Sequence, residues 1–246
     1  MNQVEFYHIS LNNIDTKECL ELCNSYFNSK ETSTIFFINA HCFNISLTDN
    51  EYKNALLKSN LVLNDGIGIK IAARLKHIRL KENMNGTDLI PKVIEYAVYR
   101  NKGINLLGAK PDIITTAADN LKKKHPKINL TGYSSGYYDR SDELNLIEEI
   151  NNSGAELLIV GMGVPLQEKW ILKNKNKLNN IKLIIAGGAI FDFIALKFKR
   201  APKPIQVIGL EWVWRLVQEP RRLLKRYIVG NPRFLLYIIK YNFLRK

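Results

Sequence analysis

Short apolar runs recur along the chain, and each ends in glycine, asparagine or aspartate just before a helical pattern begins. Residues 34–38 (TIFFI) end in Asn39, residues 61–63 in Asn64-Asp65-Gly66, and residues 104–107 in Gly108. Residues 157–160 end in Gly161, and residues 183–186 in Gly187-Gly188. A run that is apolar on both of its faces is a strand covered on both sides, and strands alternating with helices build a mainly parallel sheet. The chain is therefore expected to be α/β and Rossmann-like, with helices on both faces of the sheet.

The helical segments carry their own signals. Thr48-Asp49-Asn50-Glu51 has the pattern of a capping box and predicts a helix to about Ser59. Helices are predicted after Asp65-Gly66 to about Arg74, from Thr87 or Asp88 to Asn101, and over residues 112–124. A further strand is expected near residues 128–132, followed by a helix capped by Ser141 and stopped by Gly154. The last 40 or so residues read differently, as helices broken at Pro220 and Pro232 with no further strand. Residues 1–195 are expected to form the core and residues 196–246 a basic helical appendage.

Charge sharpens that division. The net charge is +13, and from Lys199 onward 12 Lys or Arg face only Glu211 and Glu219, leaving +10 in this segment. Such asymmetry marks a polyanionic partner: nucleic acid, anionic lipid or a phosphate-bearing substrate. Arg215, Arg222 and Arg226 are spaced seven and four apart, which would align them on a continuous helix, with Arg221 beside them and Trp212, Trp214 and Tyr227 interleaved. Arginine next to aromatics suits a phosphate and a membrane surface together. No run approaches the roughly 18 apolar residues of a membrane span, and the first residues lack a signal-peptide pattern. Three cysteines without a Cys-x-x-Cys pair, Cys42 next to His41 included, argue against a disulfide framework and a zinc site, and fit a reducing cytoplasm.

In a parallel sheet, ligands sit beyond the carboxyl ends of the strands, where glycines let backbone N–H groups approach an anion. Asn39, Asp65, Gly108, the Gly161–Glu168 turn and Gly187-Gly188 all fall there. Three glycine turns suggest a nucleotide or sugar nucleotide. Gly161-x-Gly163 continues to Leu166 instead of the third glycine of a dinucleotide fingerprint, and no Walker-type Gly-Lys-Ser/Thr is present. Asp65 reads either as a helix N-cap or as a catalytic carboxylate; Asp88 reads as a cap. There is no Asp-x-Asp, so leaving-group charge would fall to Arg, Lys or backbone donors, and no metal or cofactor is expected.

The motifs then resemble one family. Asn39-Ala40, Asp65-Gly66-Ile67-Gly68, Gly86-Thr87-Asp88-Leu89, Leu107-Gly108-Ala109-Lys110-Pro111 and Gly136-Tyr137-Tyr138 occur in order. Gly161-Met162-Gly163-Val164-Pro165-Leu166-Gln167-Glu168-Lys169-Trp170, Gly187-Gly188-Ala189-Ile190-Phe191-Asp192-Phe193, Arg200-Ala201-Pro202, Gly209-Leu210-Glu211-Trp212 and Glu219-Pro220-Arg221-Arg222 follow. Together they are similar to the WecG/TagA/CpsF family, glycosyltransferase family 26. The resemblance implies an inverting, metal-independent transferase at the inner face of the cell membrane. It would move an N-acetylmannosamine-type sugar from UDP onto GlcNAc carried on undecaprenyl diphosphate, for teichoic acid or a related surface glycan.

By the same resemblance Asp65 is the general base and Asn39 positions substrate. Gln167 and its neighbouring glycines, Gly163 among them, face the sugar nucleotide; Tyr137 stacks on uracil and Asp192 bonds the nucleoside. The appendage docks the membrane and completes the site. The sequence departs from the family pattern at Phe37, where threonine is usual, at Asn83, where arginine is usual, and at Leu196, where glycine is usual. A transferase of another UDP-sugar, such as glucose or a uronic acid, is the nearest alternative. A nonenzymatic basic nucleic-acid-binding protein is the alternative from another class, but the core lacks a recognition motif of that kind, and nucleic acid is not an expected partner. A homo-oligomer is compatible with the sequence.

Overall fold

A computed structural model describes residues 2–243; Met1 and residues 244–246, the ends of the expected core and appendage, lie outside the described residues. A hairpin, β1 (Gln3–Phe6) and β2 (Ile9–Asn12), opens the chain, followed by α1 (Thr16–Phe27). Next come β3 (Ser33–Ile38), α2 (Ala40–Ser46), α3 (Asn50–Leu57), β4 (Leu61–Asn64), α4 (Ile67–Leu75) and α5 (Gly86–Tyr99). The sheet continues with β5 (Ile104–Gly108), α6 (Pro111–Lys124), β6 (Leu130–Ser134), α7 (Glu143–Asn152), β7 (Leu157–Gly161), α8 (Leu166–Asn174), β8 (Leu183–Ala186) and α9 (Ile190–Ile194). Four helices close the described chain: α10 (Lys203–Val207), α11 (Glu211–Gln218), α12 (Pro220–Ile228) and α13 (Gly230–Phe243).

Strands β3 to β8 form one six-stranded sheet in the order β4-β3-β8-β7-β5-β6, and every pairing is parallel. This is the expected α/β architecture. All residues of β3, β4, β5, β7 and β8 are buried, as continuous apolar runs require. Alternation along the strands divides them between two cores. Phe36, Ile38, Val62, Val160 and Ile184 pack with α2, α3, α4, α7, α8 and α13, while Ile35, Phe37, Leu63, Ile159 and Ile185 pack with α1, α5, α6 and α9.

Some local details differ from the sequence reading. The hairpin was not expected; it covers the β4 edge, where the Asn12 side chain accepts from the Val62 N–H at 2.8 Å. Helix α3 is capped by Asp49 and not by Thr48, because the Asp49 carboxylate accepts from Tyr52 N. Asn85, not Thr87 or Asp88, caps α5. Strand β6 lies two residues later than expected, and its pairing with β5 shifts register between Leu130 and Gly132. No Ser141 cap forms; a 3-10 turn over Arg140–Asp142 leads into α7. Pro220 opens α12 as expected, but Pro232 sits in the first turn of α13, where a missing N–H costs nothing, so the break falls before Gly230.

Residues 203–243 are mostly helical, and the last of these helices, α13, packs against the core. Phe234 and Ile238 are each 1% exposed, and the Phe234 ring meets Phe43 edge-on with centroids 5.2 Å apart. No helix among the described residues is long and apolar enough to cross a membrane.

The topology creates a crevice. From β5 the chain crosses outward to β6, and from the adjacent β7 it crosses the other way to β8, so the carboxyl ends of β5 and β7 flank a topological switch point.

Candidate active site

At the carboxyl end of β3 the chain turns directly into α2, and Asn39 makes that turn. Its Oδ1 accepts from the backbone N–H groups of His41 and Cys42, both at 3.1 Å, which satisfies two donors of the first helical turn. With the carbonyl side so engaged, the amide nitrogen is left to donate, and it reaches Asp65 Oδ2 at 3.2 Å. Asparagine is the residue that can cap and donate at once; aspartate here would set two carboxylates against each other.

Asp65 follows β4, and its own N–H extends the ladder to Ile38 O at 2.8 Å. The side chain is half-buried at the edge of the sheet. Burial pushes its carboxyl above the ordinary range, opposed by the Asn39 hydrogen bond and by the positive charges of Arg226 and Arg200, while Asp88 adds to the rise. Gly66 has a φ of 84° and donates its N–H to Asn83 Oδ1 at 2.8 Å. Asn83 therefore ties down the backbone next to Asp65. Phe37 is buried, and its ring lies 3.4 Å from where a Cβ on Gly86 would stand.

Cations from the C-terminal helices converge on this edge. Arg226 Nη2 donates to Asn39 Oδ1 at 3.4 Å, and its guanidinium sits 5.6 Å from the centre of the Tyr227 ring. Arg215 donates to Glu219 at 2.6 Å and lies 4.5 Å from the Phe193 ring centre. Arg222 grips the same Glu219 through two nitrogens, at 2.6 and 2.9 Å. The helix breaks at Glu219, so Arg215 and Arg222 are gathered by a shared carboxylate and not by one continuous helical face. The Nε atoms of Arg215 and Arg226 are buried without a hydrogen-bond partner among the described residues. Arg221 is exposed and joins none of these contacts.

Several residues here had no role in the sequence reading. Arg200 bridges Asp88, at 2.5 Å, and Glu211, linking α5 to α11 beside the Asp65 site. Burial raises the Glu211 carboxyl; Arg200 opposes the rise, and the nearby Asp65 and Asp88 charges add to it. The His41 ring is pushed down to about 4 by burial, with Arg226 and Arg222 adding to the effect, so it is neutral at physiological pH. Arg200 and Glu211 stood inside the recognised motifs, but only their contact with Asp88 reveals what they do.

The second group lies at the ends of β5, β7 and β8. Gly108 has a φ of 146°, and a Cβ there would stand 2.4 Å from Gly161 O, so only glycine lets these strand ends approach. Gly163 and Gly188, with φ of 82° and 58°, both donate their N–H groups to Gln167 Oε1, at 3.2 and 3.0 Å. Gln167 is 2% exposed, and its Nε2 donates to Glu168 Oε1 at 2.8 Å. Gln167 thus pins two glycine turns from within. Glu168 is fully buried, and desolvation raises its carboxyl to about 7. Tyr137 is 71% exposed on the loop after β6, its N–H bonded to Ser135 Oγ. Asp192 pairs with Lys197 at 3.3 Å; the Glu219 hydrogen bond raises the basicity of Arg222, and the Asp192 charge adds to that rise.

Asn39, Asp65 and Arg226 therefore form one contact cluster, Gln167 and Gly163 a second, and Arg215 and Arg222 a third around Glu219. Chemically, the first offers a shielded carboxylate held in place by an amide donor, with a cation alongside.

Residues 4–246 match the Glycosyl transferase WecG/TagA/CpsF family. The chain is similar to the N-acetylglucosaminyldiphosphoundecaprenol N-acetyl-beta-D-mannosaminyltransferase of Bacillus subtilis (strain 168), with 30% identity over 215 residues, 87% of this chain and 82% of that protein. A protein of the same name from Staphylococcus aureus (strain MW2) is 25% identical over 224 residues, 90% of this chain and 87% of its own length.

Proposed function

The chain belongs to the WecG/TagA/CpsF family and is a glycosyltransferase; from that premise we propose that it moves an N-acetylmannosamine-type sugar from UDP to GlcNAc carried on undecaprenyl diphosphate. The acceptor follows the names of the two relatives. The observation that carries the mechanism is the Asn39–Asp65–Arg226 cluster at the sheet's carboxyl edge. Asp65 takes the proton of the acceptor hydroxyl as that oxygen attacks the anomeric carbon from the face opposite the diphosphate, giving inversion. Its raised carboxyl makes it a stronger base than an exposed aspartate, and Asn39 keeps one oxygen oriented. Arg215, Arg222 and Arg226 hold diphosphate charge, since a guanidinium meets phosphate through two N–H groups. The glycine turns around Gly108, Gly163 and Gln167 shape the nucleotide side, with Tyr137 and Asp192 at its rim.

The metal-free reading rests on the missing Asp-x-Asp in the sequence. The protein works at the inner, anionic face of the cell membrane, with the C-terminal helices as its point of contact. One observation favours a second reading, a transferase of another UDP-sugar: Phe37 and Asn83 fill and tie down the ground next to Asp65. A panel of UDP-sugars offered with a lipid diphosphate–GlcNAc acceptor decides between them. Transfer from UDP-N-acetylmannosamine alone supports the first reading; preference for UDP-glucose or a UDP-uronic acid supports the second.

A further inference from the structure

We propose that the membrane-facing surface is not made by the C-terminal helices alone: α4 of the core completes it, so that the Asp65 site opens at the headgroup level of an anionic leaflet. The inference rests on the reading that the acceptor is lipid-linked. Helix α4 buries Ile69, Ala72 and Ala73. It leaves Ile67, Ile71 and Leu75, four residues apart, 38%, 43% and 39% exposed. An apolar stripe on the outer side of a helix is the reverse of what a water-facing helix shows.

Contacts join that stripe to the helices that follow the core. Gly209 packs on Ile67, its Cβ position only 3.0 Å from that side chain, and neighbouring Ile208 is 64% exposed. A Cβ on Gly68 would stand 3.5 Å from the Phe234 ring, and Lys76 Nζ lies 5.5 Å from the Tyr241 ring centre, so α13 runs beside α4 in the same direction. Helix α13 in turn leaves Leu235 and Ile239 43% and 49% exposed, again four apart.

Charge chooses the occupant. Helices α4, α12 and α13 contain no Asp or Glu, while Lys70, Arg74, Lys225, Arg233 and Lys240 are all exposed. A second copy of this face would set positive charge against positive charge. An apolar stripe flanked by Lys and Arg matches the acyl boundary and headgroups of an anionic bilayer. Asp65 stands two residues before Ile67, at the rim of this face. A diphosphate held at the headgroup layer is then already near the carboxylate.

The test uses the full chain and vesicles of phosphatidylglycerol and phosphatidylcholine in equal parts. Three paired variants are compared by sedimentation: Ile71→Glu with Leu75→Glu, Lys70→Ser with Arg74→Ser, and Leu235→Glu with Ile239→Glu. Both α4 pairs should weaken vesicle binding by about tenfold or more, the scale of a few lost interfacial contacts. Their turnover of a short-chain, water-soluble acceptor should be unchanged, while turnover of a vesicle-embedded acceptor falls. The Lys70/Arg74 pair, both exposed, keeps the test open where two glutamates disturb folding. If both α4 pairs bind as the unaltered chain does while the α13 pair has lost binding, the α4 surface is wrong and the membrane reading survives. If the unaltered chain ignores these vesicles, the membrane reading itself falls.

Discussion

Replacing Glu168 by glutamine should flatten the dependence of stability on pH. Glu168 is fully buried; one oxygen accepts from Gln167 and the other has no partner among the described residues. Its carboxyl is raised to about 7 by desolvation, from an ordinary value near 4.5. A group whose folded pKa is raised contributes stability that is fully present below its unfolded pKa and is lost as pH rises through the folded one. The loss therefore begins near pH 4.5 and is complete above pH 7. Between pH 5 and pH 8 it amounts to about 2–3 kcal/mol, a large share of a total of roughly 5–15 kcal/mol. Glutamine keeps an oxygen that can accept from Gln167 Nε2 and has nothing to ionise. Urea unfolding at pH 5, 6, 7 and 8 measures the two proteins side by side, and contributions from other titrating groups cancel in the comparison. The unaltered chain should lose about 2–3 kcal/mol more than Glu168→Gln over that range. Equal pH dependence in both would show that Glu168 is not held neutral by burial.

Arg226→Ala should lower turnover by about a hundredfold to a thousandfold with either acceptor, the usual scale for removing one donor to developing charge, and steady-state kinetics on a water-soluble acceptor will read it. Leu196→Gly should stabilise the protein by about 0.5–1 kcal/mol, because Leu196 holds a φ of 60° where glycine is unstrained; the thermal midpoint would rise by a degree or more. Transfer activity should survive excess EDTA; loss with chelator and recovery with Mg²⁺ or Mn²⁺ would overturn the metal-free mechanism.

The sheet was legible in the sequence because parallel strands buried on both faces leave unbroken apolar runs, and β3, β4, β5, β7 and β8 all do. Strand β6 was misplaced by two residues because an edge strand is half-buried and its pattern is diluted. The hairpin and α2 escaped notice since each is short; α2 has seven residues and is defined mainly by its Asn39 cap. Asp65 and Asn39 were legible as polar residues at strand ends. Their hydrogen bond was not, because it joins positions 26 residues apart. The inward turn of Gln167 was also hidden: a glutamine after glycines reads the same whether it faces a ligand or caps the turns from inside. The C-terminal helices looked separable by charge, yet Phe234 and Ile238 are core residues, which a count of lysines and arginines does not reveal.

The account turns on Asp65 as the base. Asp65→Asn preserves size and can keep a hydrogen bond to Asn39 while removing the carboxylate. The direct measurement is turnover of this variant on a water-soluble lipid diphosphate–GlcNAc acceptor, with UDP binding measured in parallel. The account predicts a fall of about a hundredfold or more with UDP affinity retained, the scale of losing a general base. Turnover close to that of the unaltered chain would contradict it.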